Sequence, residues 1–242
     1  MSKTLQASQV LLCLACGLMF SSRTCFALEL SAFGGGEIDQ HAQGFTFAGV
    51  DLGKSVTQNV VLGGRVIPNY LTYKFKAGDT LVRASSPGLY TLLGGKLRWG
   101  ETSLGLFGGM EFRHTDLSPD VQRKVRGDTS SGMVQGELDS WLPSRTNLNA
   151  FINYSGTDNF LYQRARIKQQ ITNYGFQKPN TFNLGIEEIY GRNPDFHQIG
   201  FGLLGEVYNA PHSMGIALHG GYKHDSTFGN GEYFGIEIYK IF

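Results

Sequence analysis

No apolar run in this chain approaches the roughly 20 residues that a helix needs to cross a bilayer; the longest, Val10 to Phe20, has about 11. Cysteine is absent beyond residue 25. Cys13, Cys16 and Cys25 are all there are, so a chain starting at Leu28 has no disulfide framework and no thiol chemistry. An excess of charge of one sign is also missing: 21 Lys and Arg stand against 20 Asp and Glu. That balance leaves no electrostatic case for nucleic acid. Catalytic signatures are absent too. There is no Gly-x-Ser-x-Gly elbow, no His-Glu-x-x-His pair and no phosphate loop. From Leu28 onward no segment keeps a helical period.

What is present starts with a leader. Lys3, the short apolar run, then Ser21, Ser22 and Cys25-Phe26-Ala27 give the order of a secretory signal peptide over residues 1–27, with cleavage expected after Ala27. Residues 28–242 then form one β domain of nearly neutral charge. Its glycine content, 33 in the whole chain, is roughly twice the ordinary share and recurs inside strand-like stretches such as Gly63-Gly64, Gly94-Gly95 and Gly220-Gly221. In a barrel such glycines permit bends and close interior packing.

The repeat that does run through the chain is two. About 12 strands are expected, near 28–37, 44–54, 60–73, 88–99, 102–113, 128–140, 147–155, 160–170, 180–190, 197–208, 213–224 and 232–242. In one of them Ile199, Phe201, Leu203 and Val207 oppose Gly200, Gly202, Glu206 and Tyr208. In the last, Phe234, Ile236, Ile238 and Phe242 oppose Gly235, Glu237 and Tyr239. Longer connections, notably 74–87 and 114–127, alternate with tight ones such as Gly100-Glu101. Runs of roughly 9–11 residues with that alternation suit tilted transmembrane strands.

A final strand closing on an aromatic residue resembles those of bacterial outer-membrane β-barrels, although Lys240 stands where they usually carry an aromatic. Its stem can lie on apolar surface while its ammonium reaches the headgroups. Tyr70, Tyr73, Tyr90, Trp99, Phe112, Trp141, Tyr154, Phe160, Tyr190, Tyr208, Tyr222 and Tyr233 fall at strand ends and are expected as girdles at the membrane boundary. The fold expected is an all-β, up-and-down antiparallel transmembrane barrel in the outer membrane.

The face opposite the apolar one carries Arg65, Lys96, Arg98, Glu111, Arg113, Glu137, Arg164, Arg166, Lys168, Glu187, Glu206 and Glu237. Inside a barrel these must be paired. Tyr162, Arg164, Arg166 and Lys168 form a basic ladder on the eighth strand, answered by Glu187 and by Glu137. Two readings stand: a salt-bridged plug, or a lined path for a polar polymer. On the second, Tyr162, Arg164, Arg166, Lys168 and Glu187 would touch polysaccharide in the lumen, with Trp99 and Trp141 as stacking platforms. His219 could pair with Glu206, and His212-Ser213 sits in a turn. Asp116, Asp120, Asp128 and Asp225 have no calcium-loop spacing and read as solvated loop acids. No catalytic residue, metal site or cofactor is assigned.

The least generic stretch is Glu111-Phe112-Arg113-His114-Thr115-Asp116-Leu117-Ser118-Pro119-Asp120, closing with Lys124-Val125-Arg126-Gly127. With Gly185 and Glu187, Gly191-Arg192-Asn193-Pro194-Asp195-Phe196, Gly200 and Gly202, and Gly220-Gly221-Tyr222-Lys223 with Asp225, it resembles the cellulose biosynthesis protein BcsS family. The likeness runs from about Glu111 to the C-terminus. It implies an outer-membrane barrel accessory to cellulose synthase, without catalytic residues. Its implied partners are outer-membrane lipid, cellulose or a similar exopolysaccharide, and other cellulose-synthase components. Two alternatives remain: a lipid A deacylase-like barrel enzyme using His219, or His212 with Ser213, and a soluble periplasmic β-sandwich.

Overall fold

The computed structural model describes residues 28–174 and 180–242; the expected signal peptide lies outside the described residues. Twelve strands follow one another: β1 (Leu28–Asp39), β2 (Gly44–Ser55), β3 (Val60–Ala77), β4 (Thr80–Trp99), β5 (Thr102–Ser118), β6 (Gly127–Trp141), β7 (Thr146–Ser155), β8 (Phe160–Tyr174), β9 (Asn180–Arg192), β10 (His197–Asn209), β11 (Met214–Asp225) and β12 (Gly229–Ile241). Each pairs antiparallel with its sequence neighbours, and β12 closes on β1. Following the pairing once around returns to β1 displaced by about 14 residues, so the strands tilt steeply against the barrel axis.

Alternation decides which side chains meet lipid. Val50, Leu93, Leu106, Ile152, Ile186, Leu203, Leu218 and Ile236 point outward from eight strands and are exposed. Glu187, Glu206 and His219 on the same strands, and Arg65 of β3, are buried inside. An apolar exterior over a charged interior, closed so that no strand edge is left unpaired, is the form of a bacterial outer-membrane barrel. Among the described residues no packed second layer covers the apolar face, which disposes of the sandwich.

Leu28 and Phe242 lie at one end, with the turns 56–59, 100–101, 142–145 and 210–213. That end is the periplasmic one in barrels of this type. Phe242 donates its backbone N–H to Leu30, and the Lys240 ammonium sits 4.8 Å from the Phe242 ring centroid, laid along the outer rim as its chemistry suggests.

Three expectations need correction. Segment 74–87 is not a loop: β3 and β4 continue pairing to Ala77 and Thr80, leaving only Gly78 and Asp79 as the turn, with Gly78 at φ +63°. Strand β5 likewise runs on to Ser118, so the loop there shrinks to 119–126. Cross-strand hydrogen bonding persists beyond the apolar belt, where pattern-reading stops. The girdle is only half right. Tyr70, Trp99, Phe112, Tyr154, Tyr190 and Tyr222 share the outward phase, whereas Tyr73, Tyr90, Trp141, Phe160, Tyr208 and Tyr233 share the inward one. Tyr90 accepts a hydrogen bond from Arg113 and Tyr233 is 4% exposed. Trp99 is therefore no lumen platform: it is 48% exposed and in phase with Leu93 and Leu97 on the lipid side.

Interior rings fit because glycines face them. The Phe33 ring lies where a Cβ on Gly49 would be, and the Tyr239 ring covers Gly215 in the same way.

Candidate functional site

The lumen is where charge collects, and it is crossed at several heights. On one side Arg65 of β3, its side chain 2% exposed, donates to Asp51 of β2 at 2.9 Å and to Glu137 of β6. Its guanidinium lies 3.8 Å from the Phe107 ring centroid, and Gln135 donates to Glu137 at 2.7 Å. This Arg spans from the β2–β3 wall to β6. The stacking on Phe107 holds its planar group where it can reach both acids.

On the other side the basic ladder of β8 meets Glu237 of β12. Arg166 donates to Glu237 at 2.8 and 3.0 Å and to Glu187 of β9 at 2.8 Å. Arg164 donates to the same Glu237. Glu187 also accepts from the Tyr233 hydroxyl at 2.9 Å and contacts His219 Nδ1 at 2.7 Å. Lys168 donates to Glu206 of β10 at 2.9 Å. Nearer the outside, Lys223 of β11 reaches Asp39 at 3.1 Å and Glu37 at 3.4 Å on β1. Between the two networks aromatic rings meet across the bore. Phe45 of β2 stands edge-on to Tyr162 of β8 at 6.1 Å, and Phe151 does so at the same distance.

Tyr162, Arg164, Arg166, Lys168 and Glu187 are thus brought together on one inner wall, as expected. Trp141 shares the inward phase at the periplasmic rim, and Trp99 does not join them. Glu187 does answer the ladder, but Glu137 answers Arg65 instead. Glu237 and Glu206 are the partners that register, not sequence spacing, supplies. His219 does not pair with Glu206, whose oxygens are taken by Lys168 and by Asn183 at 2.8 Å.

The periplasmic mouth has a different character. Asp139 accepts from Asn149 at 3.1 Å and from Asn147 at 3.2 Å. Tyr208 and Tyr239 stack with ring centroids 6.1 Å apart and planes 16° from parallel. On the opposite wall, Arg98 is held by Glu29 and Lys96 by Asp51 beside a recess of about 100 Å³.

At the outer mouth the loop 119–126 leans over the bore. Arg123 lies 5.6 Å from the Phe75 ring and 3.9 Å from Asp195, and Arg126 holds Asp120 at 2.5 Å. Asp158, on the β7–β8 connection, accepts from Asn193 at 2.5 Å. Burial, with Asp195 nearby, lifts its carboxyl above the ordinary range. His114 lies one outward position beyond Phe112, above the apolar belt, between Asp128 at 2.6 Å and Asp116 at 3.3 Å. The hydrogen bond to Asp128 raises the imidazole above its usual value. Asp225 is not a solvated loop acid. It is 2% exposed and accepts from the backbone of Thr227 and Phe228, each at 2.7 Å.

A family model described as cellulose biosynthesis protein BcsS matches residues 31–242. No curated protein matches the chain. Among solved structures it is similar to an outer membrane channel from Pseudomonas putida F1, at 9% identity over 93% of this chain and 98% of that one, TM-score 0.48. It is also similar to the beta domain of the Bordetella autotransporter BrkA, at 10% identity over 90% and 99%, TM-score 0.45. A third is the translocator domain of autotransporter NalP from Neisseria meningitidis, at 11% identity over 99% and 96%, TM-score 0.44.

Proposed function

The chain belongs to the cellulose biosynthesis protein BcsS family, and from that premise we propose a non-catalytic outer-membrane barrel that supports secretion or surface placement of cellulose from a closed lumen. One observation carries the reading: carboxylates and guanidinium groups from strands three and four places apart are bonded through the bore, Arg65 with Glu137 and Arg164 and Arg166 with Glu237. A polymer passing through the centre would have to part these pairs, each step leaving a charge unpaired in a confined space at several kcal/mol. The barrel therefore works as a membrane anchor and docking element for the synthase apparatus and its product, its mid-lumen held shut. Tyr162, Arg164, Arg166 and Glu187 keep it closed. Lys168 and Trp141, nearer the periplasmic mouth, are the members of the expected site left for contact with polysaccharide.

Against a lipid-hydrolysing role, the His219 ring is held by Glu187 on the lumen wall, away from the lipid face. His212 contacts Asn209 through both its backbone N–H and its ring. Replacing both histidines is expected to leave the lipid profile unchanged.

The test is a deletion strain scored for surface cellulose by dye binding, beside fractionation of the tagged protein. Reduced surface cellulose, with the protein in the outer membrane, is the expected result. Normal cellulose at the surface would refute the role.

A further inference from the structure

We propose that the periplasmic mouth of the barrel holds a docking site for the end of a neutral, extended glucan chain, built on Tyr208 and Tyr239 with Asn147 and Asn183. The inference rests on the reading that the barrel serves cellulose production, and it deepens that reading by giving the contact residues.

The register assembles the site. Tyr208 of β10 and Tyr239 of β12 both pair with Gly215 of β11, so the two inward rings flank a residue without a side chain. The Tyr239 ring fills the space over that glycine, and the two rings stand with near-parallel planes, stacked at the mouth. Next to them, Asn183 pairs with Glu206, and Trp141 pairs with Asn147, which in turn pairs with Lys168.

Two features separate this ring from the ion-paired bore above it. First, its one cation is taken: Lys168 holds Glu206, and the hydrogen-bonding capacity of Asp139 is met by the neutral amides of Asn147 and Asn149, which leaves nothing here to attract an anionic ligand. Second, hydrogen-bonding capacity is left over. Asn147 is 0% exposed and Asn183 1% exposed, yet the side-chain oxygen of each has no partner among the described residues. Buried amide oxygens are ordinarily satisfied, and these two lie covered just beneath the rim without a donor. Flat aromatic faces with free amide acceptors beside them suit a ligand with apolar C–H faces and a rim of hydroxyl donors. A pyranose chain has that form. Near-parallel aromatic planes favour a chain that is itself flat, which selects an extended linkage over a coiled one.

The experiment uses the intact barrel in detergent, with Trp99→Phe so that Trp141 alone reports, titrated with cellohexaose and, separately, maltohexaose. Saturable change with cellohexaose is expected, weakened about tenfold when Tyr208 and Tyr239 are both replaced by Ala. Tyr208→Phe with Tyr239→Phe, which keeps the stacked rings, is expected to lose much less. Heat-modifiable gel migration checks that each variant is folded. Absence of binding by the intact barrel, equal affinity for maltohexaose, or affinity indifferent to the Ala pair in folded protein would overturn the site. Those results leave the deletion phenotype untouched, so failure of the site and failure of the cellulose role are read separately.

Discussion

Replacing Glu237 with Ala is the sharpest test of a lumen held shut by matched charge. Glu237 accepts from Arg164 and twice from Arg166, with its side chain 19% exposed, against 17% and 6% for the two arginines. After the substitution Arg166 keeps Glu187, but Arg164 loses the carboxylate it donates to, and its Nε already lacks a partner. One guanidinium is stranded in a confined, mostly buried site. Breaking such a pair from one side costs about 3–5 kcal/mol, and the partial exposure of Arg164 places this case near 3 kcal/mol. Removing the stranded group should then help. The double variant Glu237→Ala with Arg164→Ala is expected to be more stable than Glu237→Ala alone, by about 1–2 kcal/mol. Urea unfolding of the refolded barrel in detergent, followed by tryptophan fluorescence, measures both. If Glu237→Ala shifts stability by less than about 1 kcal/mol, or if the second substitution only adds to the damage, the pairing is not what holds the two walls together.

Other consequences follow from the same geometry. Wild-type barrel in a planar bilayer should conduct poorly, and Arg164→Ala with Arg166→Ala should raise conductance at unchanged barrel level; lower stability with no change in conductance would mean that other side chains close the bore. Lipids carrying brominated acyl chains should quench Trp99 but not Trp141, so Trp99→Phe abolishes most quenching while Trp141→Phe retains it. His114 has its folded pKa raised by Asp128, so its contribution to stability is complete below the unfolded value of about 6.5 and is lost as pH climbs through the folded one. Asp128→Asn should move the His114 titration, followed by NMR, back toward that value; an unmoved titration would sink the assignment.

Much of this fold could be read from a period of two. Leu203 beside Glu206, or Ile236 beside Glu237, already separates lipid from lumen, and the number and order of strands follow once each run is bounded by its turn. Two things could not be read. The phase of a tyrosine or tryptophan at a strand end is ambiguous because those rings suit a membrane boundary and a lumen equally. Trp99 and Trp141, both closing a strand at the periplasmic end, went opposite ways for a one-residue difference in parity. Partners inside the bore were the second gap. Pairing of Arg65 with Glu137 or of Arg164 with Glu237 depends on long side chains reaching strands three or four away, and nothing local in sequence encodes that reach.

That reach explains why twelve strands need not leave a channel. Eight strands enclose a bore that ordinary side chains fill, and four more widen it. Short interior residues would then leave a gap, as they do at the glycine-walled recess beside Lys96. Arginine is the residue long enough to reach into that extra space, and its fork can bond a carboxylate three or four strands away in two places. Each such Arg needs an acid opposite, and each acid needs further donors to be tolerable there, which is how Glu187 comes to hold Arg166, His219 and Tyr233 at once. The charged interior is therefore a packing solution for a bore of this width. On the proposed reading a polymer is kept from the centre and meets the mouth instead, where tyrosines and amides join the ions.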